Sequence, residues 1–296
     1  MNFLKRYSAL GGSFNPKDVV IKKSLRVNTL KIQSQELIKR FKKKKIVLEK
    51  IPFLKQGYNY ESEFSLGSTP EYLQGFYYLQ EAASQVPVQV LNPSEKDLVL
   101  DMAASPGSKT TQISQFMNNK GAVIALDTDH KRLRSLINNL ERLSIKNVLV
   151  YKKDARFIRD FNLKFDKILL DAPCSGNFCV EPNYFSKRSL LDIQQRSRLQ
   201  KELLHAGLDV LKESGVLVYS TCSLEPEENE LVVDQILKER EDVILESTDL
   251  SVGVEGVTIV FGEELDPSLK NTRRFWPHKT GTEGFYIAKF RKINND

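Results

Sequence analysis

Two short stretches hold the side chains best suited to covalent chemistry. Cys174 lies in DAPCSG (171–176) and Cys222 in STCSLEPEEN (220–229), and each stretch directly follows an apolar run, KILLD and GVLVYS respectively. Adjacent parallel strands open onto the same edge of a sheet, so both thiols can face one cleft. A single free cysteine usually serves only as packing. Two of them at a ligand edge are different, because Cys222 also stands just ahead of a helix start at Pro226, whose dipole favours a thiolate. Cys179 has no such placement and is assigned to packing.

Carboxylates mark the same edge. Asp101, Asp127 and Asp171 end the runs LVLD, AVIALD and KILLD, and Asp154 follows NVLVY. Any one of these acids is explained as a helix cap or loop carboxylate, and that is the assignment made for Asp101 and for Asp129. Asp127, Asp154 and Asp171 together favour a polar nucleoside, such as the adenosyl part of S-adenosylmethionine. After Asp101 comes AASPGSKTTQ, a turn of small residues opening a helix, where a ligand can touch backbone. It has neither the GxxxxGK[ST] nor the GxGxxG spacing, which argues against ATP and nicotinamide cofactors.

These residues need a sheet to hold them. The apolar runs are expected to be buried parallel strands, and the helical patterns at 109–117, 128–143, 188–211 and 227–240 fit between them, giving repeated β-α units. GFYIAKFR (284–291) alternates and is expected to be an antiparallel strand at or near the edge. Ahead of this lies a smaller α+β unit with strands at 24–30 and 46–49. Its helix, at 33–41, turns Leu37, Ile38 and Phe41 inward. Residues 56–70 are expected to connect the two units, and 71–91 to be helical with Pro87 kinking or dividing the stretch. The predicted fold is thus α/β, a doubly wound Rossmann-like sheet over 86–296 with a small basic domain over 1–85.

At these motifs the sequence resembles the NOL1/NOP2/Sun family of RNA cytosine-5 methyltransferases. SLRVNTLK, DMAASPGSKTTQ, DAPCSG, STCS with its EEN continuation, and RFWPHK followed by GFYIAKF carry the likeness, which spans residues from about Ser24 to Lys292. The cofactor turn departs from the usual wording, which has cysteine where Ala103 stands and glycine where Ser108 stands. The resemblance implies that Ala103, Ala104, Ser105, Pro106, Gly107, Ser108 and Lys109 wrap the methionine end of S-adenosyl-L-methionine. It further implies that Asp127 holds the ribose, that Asp154 lies by the adenine, and that Asp171 sits between cofactor and base. Cys222 would add to C6 of cytosine, Asp171 with Lys109 would hold the base, and Cys174 would promote loss of the C5 proton. DNA cytosine-5 methyltransferases, which use the Pro-Cys thiol, and a silent RNA-binding scaffold are the alternatives. The TCS cysteine points to RNA, and the intact Lys109, Asp171, Cys174 and Cys222 point to catalysis.

Composition fits these expectations. With 296 residues and 41% hydrophobic content, the chain can bury a full core. Three cysteines are too few for a disulfide framework, and His130, His205 and His278 lack ligand spacing, so no metal is expected. No secretory signal or membrane span is read, and the enzyme is expected to be cytoplasmic and monomeric. Residues 1–85 carry a net charge of +8 and the remainder −2. The densest run, Lys39 to Lys45, is the footprint expected of a phosphate-binding surface, and RNA is the expected partner, tRNA in preference to rRNA.

Overall fold

The computed structural model describes residues 2–181 and 183–294. The chain begins with helix α1 (Phe3–Ala9) and enters the small unit at strand β1 (Ser24–Val27), followed by helix α2 (Ser34–Lys43), β2 (Val47–Lys50) and β3 (Gly57–Glu61). Leu37 and Phe41 of α2 are buried, whereas Ile38 is 37% exposed, so the inward stripe is narrower than expected. The expected connection at 56–70 instead supplies β3, which pairs antiparallel with both β1 and β2. The helix expected over 71–91 is also replaced. Helix α3 (Pro70–Leu73) stops at Gly75, and Tyr77–Leu79 forms β4 on the free edge of β1. Gly75 has φ +73, and a Cβ there would lie 1.9 Å from the Arg142 carbonyl oxygen, so the chain turns where no side chain fits. A 3-10 turn at Ala83–Gln85 then leads into α4 (Val86–Leu91), where Pro87 opens the helix rather than kinking it.

The larger unit alternates as expected: β5 (Leu98–Asp101), α5 (Ser108–Phe116), β6 (Ala122–Asp127), α6 (His130–Leu143), β7 (Val148–Lys152), β8 (Phe165–Asp171), α7 (Tyr184–Lys187), α8 (Leu190–Val210), β9 (Leu211–Thr221) and α9 (Glu230–Glu239). Short strands β10 (Val243–Glu246), β11 (Val254–Glu255), β12 (Ile259–Val260), β13 (Glu263–Glu264) and β14 (Arg273–Phe275) lead to β15 (Phe285–Lys292). The sheet order is β11-β14-β15-β9-β8-β5-β6-β7, with β5 to β9 parallel. The order reverses direction at β5, and ligands bind beyond the carboxyl ends of strands at such a switch point. Two expectations change here. β7 is an edge strand whose Leu149 and Tyr151 are exposed, and β15, antiparallel to β9 from Tyr286↔Thr221 to Arg291↔Val216, has β14 and β10 on its other side.

Although α1 falls in the first 85 residues, it packs on the larger unit. Phe3, Tyr7 and Leu10 join the core formed by α8, α9 and Trp276; Tyr7 Oη donates to Glu225 at 2.7 Å, and Arg6 pairs with Glu227 at 2.6 Å. The small unit's own core is Leu25, Val27, Leu37, Phe41, Ile46 and Tyr77 with their neighbours.

Candidate active site

Strands β8 and β9 lie side by side in register, Asp171 opposite Ser220, so the loops that follow them emerge together. The two thiols meet there: Cys174 Sγ and Cys222 Sγ are 3.0 Å apart, and both residues are half-buried. The hydrogen bond to Cys222, reinforced by burial, holds the Cys174 thiol well above its ordinary range. Cys179 stays apart, pushed up to about 12 by burial and then by the charge of Glu283, which keeps it a protonated packing residue.

The EEN continuation fastens these loops. Glu228, buried, accepts from Ser175 N at 2.9 Å, Ser223 Oγ at 2.8 Å and Gln200 Nε2 at 2.8 Å, and it also takes the Ser175 hydroxyl. Asn229 accepts from Thr221 Oγ1 at 2.6 Å and donates to the Ser223 carbonyl at 3.0 Å. Asn177 donates to the Cys222 carbonyl at 2.8 Å. A 3-10 turn occupies Pro226–Glu228 and the helix proper begins at Glu230. Its dipole therefore lies farther from Cys222 than expected, and such effects fade within a turn.

Lys109, in the first turn of α5, reaches across to β8. Its Nζ donates to Asp171 Oδ2 at 2.7 Å and to Ser84 Oγ at 2.8 Å, and it lies 5.5 Å from the centre of the Phe285 ring. Ser220 Oγ donates to the other carboxylate oxygen of Asp171 at 2.7 Å. Both oxygens are thus oriented while the carboxylate stays 30% exposed toward the cleft. Glu283, at the same mouth, is raised to about 7 by burial and by the nearby charge of Glu81, with Lys109 opposing.

The cofactor side is a 220 Å³ cavity lined by Met102, Ala103, Asp127, Thr128, Arg132, Lys153, Asp154, Arg156, Pro173, Leu199 and Leu203, among others. Asp127 is buried and accepts from the backbone N–H groups of Ser105 (3.2 Å) and Asp129 (2.9 Å), so the turn itself aims its carboxylate. Asp154 caps the following turn and pairs with Arg156 at 2.7 Å, which holds its carboxyl below the usual range. Ala104 and Ser105 are buried beneath the turn, Pro106 is exposed, and Gly107 adopts φ +102 with a potential Cβ 2.7 Å from Leu136 Cδ1. Ser108 begins α5, and its carbonyl accepts from Arg26 at 2.6 Å. Asp101 is not at the cleft; it accepts from Thr110 Oγ1 at 2.7 Å, and burial raises it to about 7. Asp129 caps α6, as expected.

S-adenosylmethionine fits this donor set. Asp127 and Asp154 line the cavity and can accept from hydroxyls, Leu199, Leu203 and Pro173 offer apolar surface for a base, and the buried Ser105 Oγ has no protein partner. Among the described residues no His/Cys/Asp/Glu cluster could hold a metal, and no helix is long and apolar enough to cross a membrane. Sequence reasoning missed Ser84, Ser220, Arg156, Leu199 and Leu203. Ser220 stood in the quoted STCS motif and was legible; Ser84 was hidden inside a stretch read as helix.

Residues 88–291 match the family model of 16S rRNA methyltransferase RsmB/F, and residues 5–82 match that of the N-terminal domain of 16S rRNA methyltransferase RsmF. The chain is 41% identical over 280 residues to a 28S rRNA (cytosine-C(5))-methyltransferase of Mus musculus, covering 92% of this chain but 35% of that protein. It is 40% identical over 277 residues to a tRNA (cytosine(49)-C(5))-methyltransferase of Pyrococcus abyssi, covering 92% and 88%. The crystal structure of a methyltransferase homolog protein from Pyrococcus horikoshii superposes with TM-score 0.89 at 43% identity, covering 98% of this chain and 94% of that one. NSun6 from the same organism, solved with SFG, gives TM-score 0.82 at 30% identity, covering 95% and 93%.

Proposed function

Because the chain belongs to the RsmB/F family of methyltransferases, we propose that it transfers a methyl group from S-adenosylmethionine to carbon 5 of a cytosine in RNA, with tRNA as the substrate. The observation that carries this reading is the paired thiols of Cys174 and Cys222 beside the Lys109–Asp171 ion pair. The archaeal tRNA enzyme, nearly all of whose length the chain spans, supports tRNA; the mouse rRNA enzyme is far longer. Sequencing RNA for 5-methylcytosine with and without the gene tests it: loss of a tRNA site is expected, and loss confined to rRNA overturns the substrate. The same reading has the enzyme working in the cytoplasm as a monomer.

Cytosine C5 is a poor nucleophile until a thiolate adds at C6. Cys222 supplies that thiolate, and Asp171 and Lys109 hold the N3 and N4 edge as its charge shifts. Ala103 to Lys109 would hold S-adenosylmethionine, with Asp127 at the ribose and Asp154 by the adenine, and the bound cofactor would supply the electrophilic methyl. Cys174, after giving its own thiol proton to solvent, takes the C5 proton, which lets the C6–sulfur bond break and returns Cys222 as thiolate.

Replacing Asp127 by alanine is expected to weaken cofactor binding by about 1.5 to 3 kcal/mol, roughly 10- to 150-fold in Kd, with RNA affinity unchanged. Calorimetry showing wild-type affinity would remove Asp127 from the site. In the basic run, Lys44 is committed to Glu71 at 2.7 Å, while Lys42, Lys43 and Lys45 are exposed. Changing those three to alanine is expected to weaken RNA binding and flatten its dependence on salt, since each phosphate contact adds to the slope. An unchanged slope would make the run a solvated surface.

A further inference from the structure

Lys109 is 7% exposed, and two of its three N–H bonds are spoken for, one by Asp171 and one by Ser84. Ser84 does not belong to the Rossmann-like sheet. It sits in the 3-10 turn by which the chain leaves β4 of the small unit. An ammonium buried this far needs acceptors, and the direction of its free N–H depends on where the other two are tied.

The turn that carries Ser84 is locked by side chains on both sides. Glu81 Oε2 accepts the Ser84 backbone N–H at 3.2 Å, and Gln80 Nε2 donates to the Ser84 carbonyl at 3.0 Å. The second oxygen of Glu81 accepts the backbone N–H of Glu283 at 3.1 Å, from the loop entering β15. Next to it, the Gly284 carbonyl accepts from Asn177, the residue that also holds the Cys222 carbonyl. Gln80 continues the connection inward, taking Arg26 of β1 on its Oε1 at 2.7 Å and donating to Gln112 of α5 at 3.2 Å, while Gln112 donates to the Gln85 carbonyl at 2.7 Å. Arg26, Gln80, Gln85 and Gln112 are all at least 96% buried. Buried polar residues tied to one another in this way resist rearrangement, because breaking a bond leaves a further buried group unpaired.

We propose that Ser84, held in place by Glu81, is a positioning residue for the Lys109 ammonium, so that the segment joining the small unit to the larger one completes the active site. The proposal rests on the cytosine-5 methylation reading. Without the Ser84 hydroxyl, Lys109 keeps Asp171 but loses its second anchor and is free to swing toward Glu283. The Asp171 carboxylate then loses a fixed partner at the moment the base edge changes charge.

The test compares single-turnover 5-methylcytosine formation at saturating RNA and S-adenosylmethionine. Ser84→Ala is expected to slow the rate constant tenfold or more, with both dissociation constants within twofold of wild type and the melting temperature unchanged. Ser84→Thr, which keeps the hydroxyl, should recover most of the rate. Glu81→Gln, which places an N–H against one of the two backbone donors, should slow the reaction in the same way, and it serves if the alanine variant fails to fold. A wild-type rate for Ser84→Ala or Glu81→Gln overturns the proposal. So does a rate loss matched by lost affinity or lost stability, or a threonine variant as slow as alanine. If the wild-type chain makes neither 5-methylcytosine nor a Cys222-dependent adduct on tRNA or rRNA, the functional reading fails first and this proposal falls with it.

Discussion

Cys174→Ala protein incubated with RNA and S-adenosylmethionine is expected to migrate as a denaturant-resistant protein–RNA complex, whereas Cys222→Ala gives neither complex nor product and the double variant loses the complex. The geometry gives the reason. With the sulfurs 3.0 Å apart, both can reach one C5–C6 bond, and the hydrogen bond to Cys222 together with burial keeps the Cys174 thiol protonated. On the proposed reading Cys222 is the sulfur that attacks. Once Cys222 is bonded to C6, the hydrogen bond that most strongly holds the proton on Cys174 is lost, so Cys174 can release that proton to solvent and serve as the base after addition has occurred. Without Cys174 the C5 proton stays, elimination stops and the adduct persists. A denaturing gel with labelled RNA, run with and without reductant, reads all three variants. An adduct trapped by Cys222→Ala and lost in Cys174→Ala would exchange the roles and align the chemistry with the DNA enzymes.

A second large effect is expected in stability, from Glu230→Ala. Arg274 and Glu230 are fully buried and face each other, with Arg274 Nε donating to Glu230 Oε1 at 3.0 Å and a second bond between Nη2 and Oε2. Arg274 Nη1 also donates to the Leu224 carbonyl at 2.6 Å, and the guanidinium lies 5.0 Å from the centre of the Trp276 ring. Removing one partner leaves a buried charge uncompensated, at a cost of about 3 to 5 kcal/mol. Urea denaturation should show this loss, and Glu230→Leu combined with Arg274→Met should recover part of it. That double variant still lacks the anchor on Leu224, just past Cys222, so its methylation rate should stay below that of the unchanged chain. A loss under about 1 kcal/mol for Glu230→Ala would show that the pair is not what holds this loop.

The apolar runs, the acids that end them and the order of the two cysteine motifs were all legible along the chain. A parallel strand buried on both faces has to be an apolar run, and a ligand edge has to follow it. That determined the sheet, placed Cys174, Cys222 and Asp171 at one edge, and separated Asp129, a cap, from Asp127, while the place of Lys109 beside Asp171 came from the family resemblance. Other features depended on partners far away in sequence. Tyr77–Leu79 is a strand only because β1, some fifty residues earlier, offers a free edge, and Gly57–Glu61 only because β1 and β2 flank it. Neither has a period of its own strong enough to compete with its polar or helical neighbours. Helix α1 was counted with the small unit because it precedes it, yet Tyr7 packs on Trp276 and Glu225. Ser84 carries no mark in the sequence that separates it from any turn serine. Its place beside Lys109 comes from buried hydrogen bonds contributed by Glu81, Gln80 and Gln112, and only the folded chain brings those donors and acceptors within reach of one another.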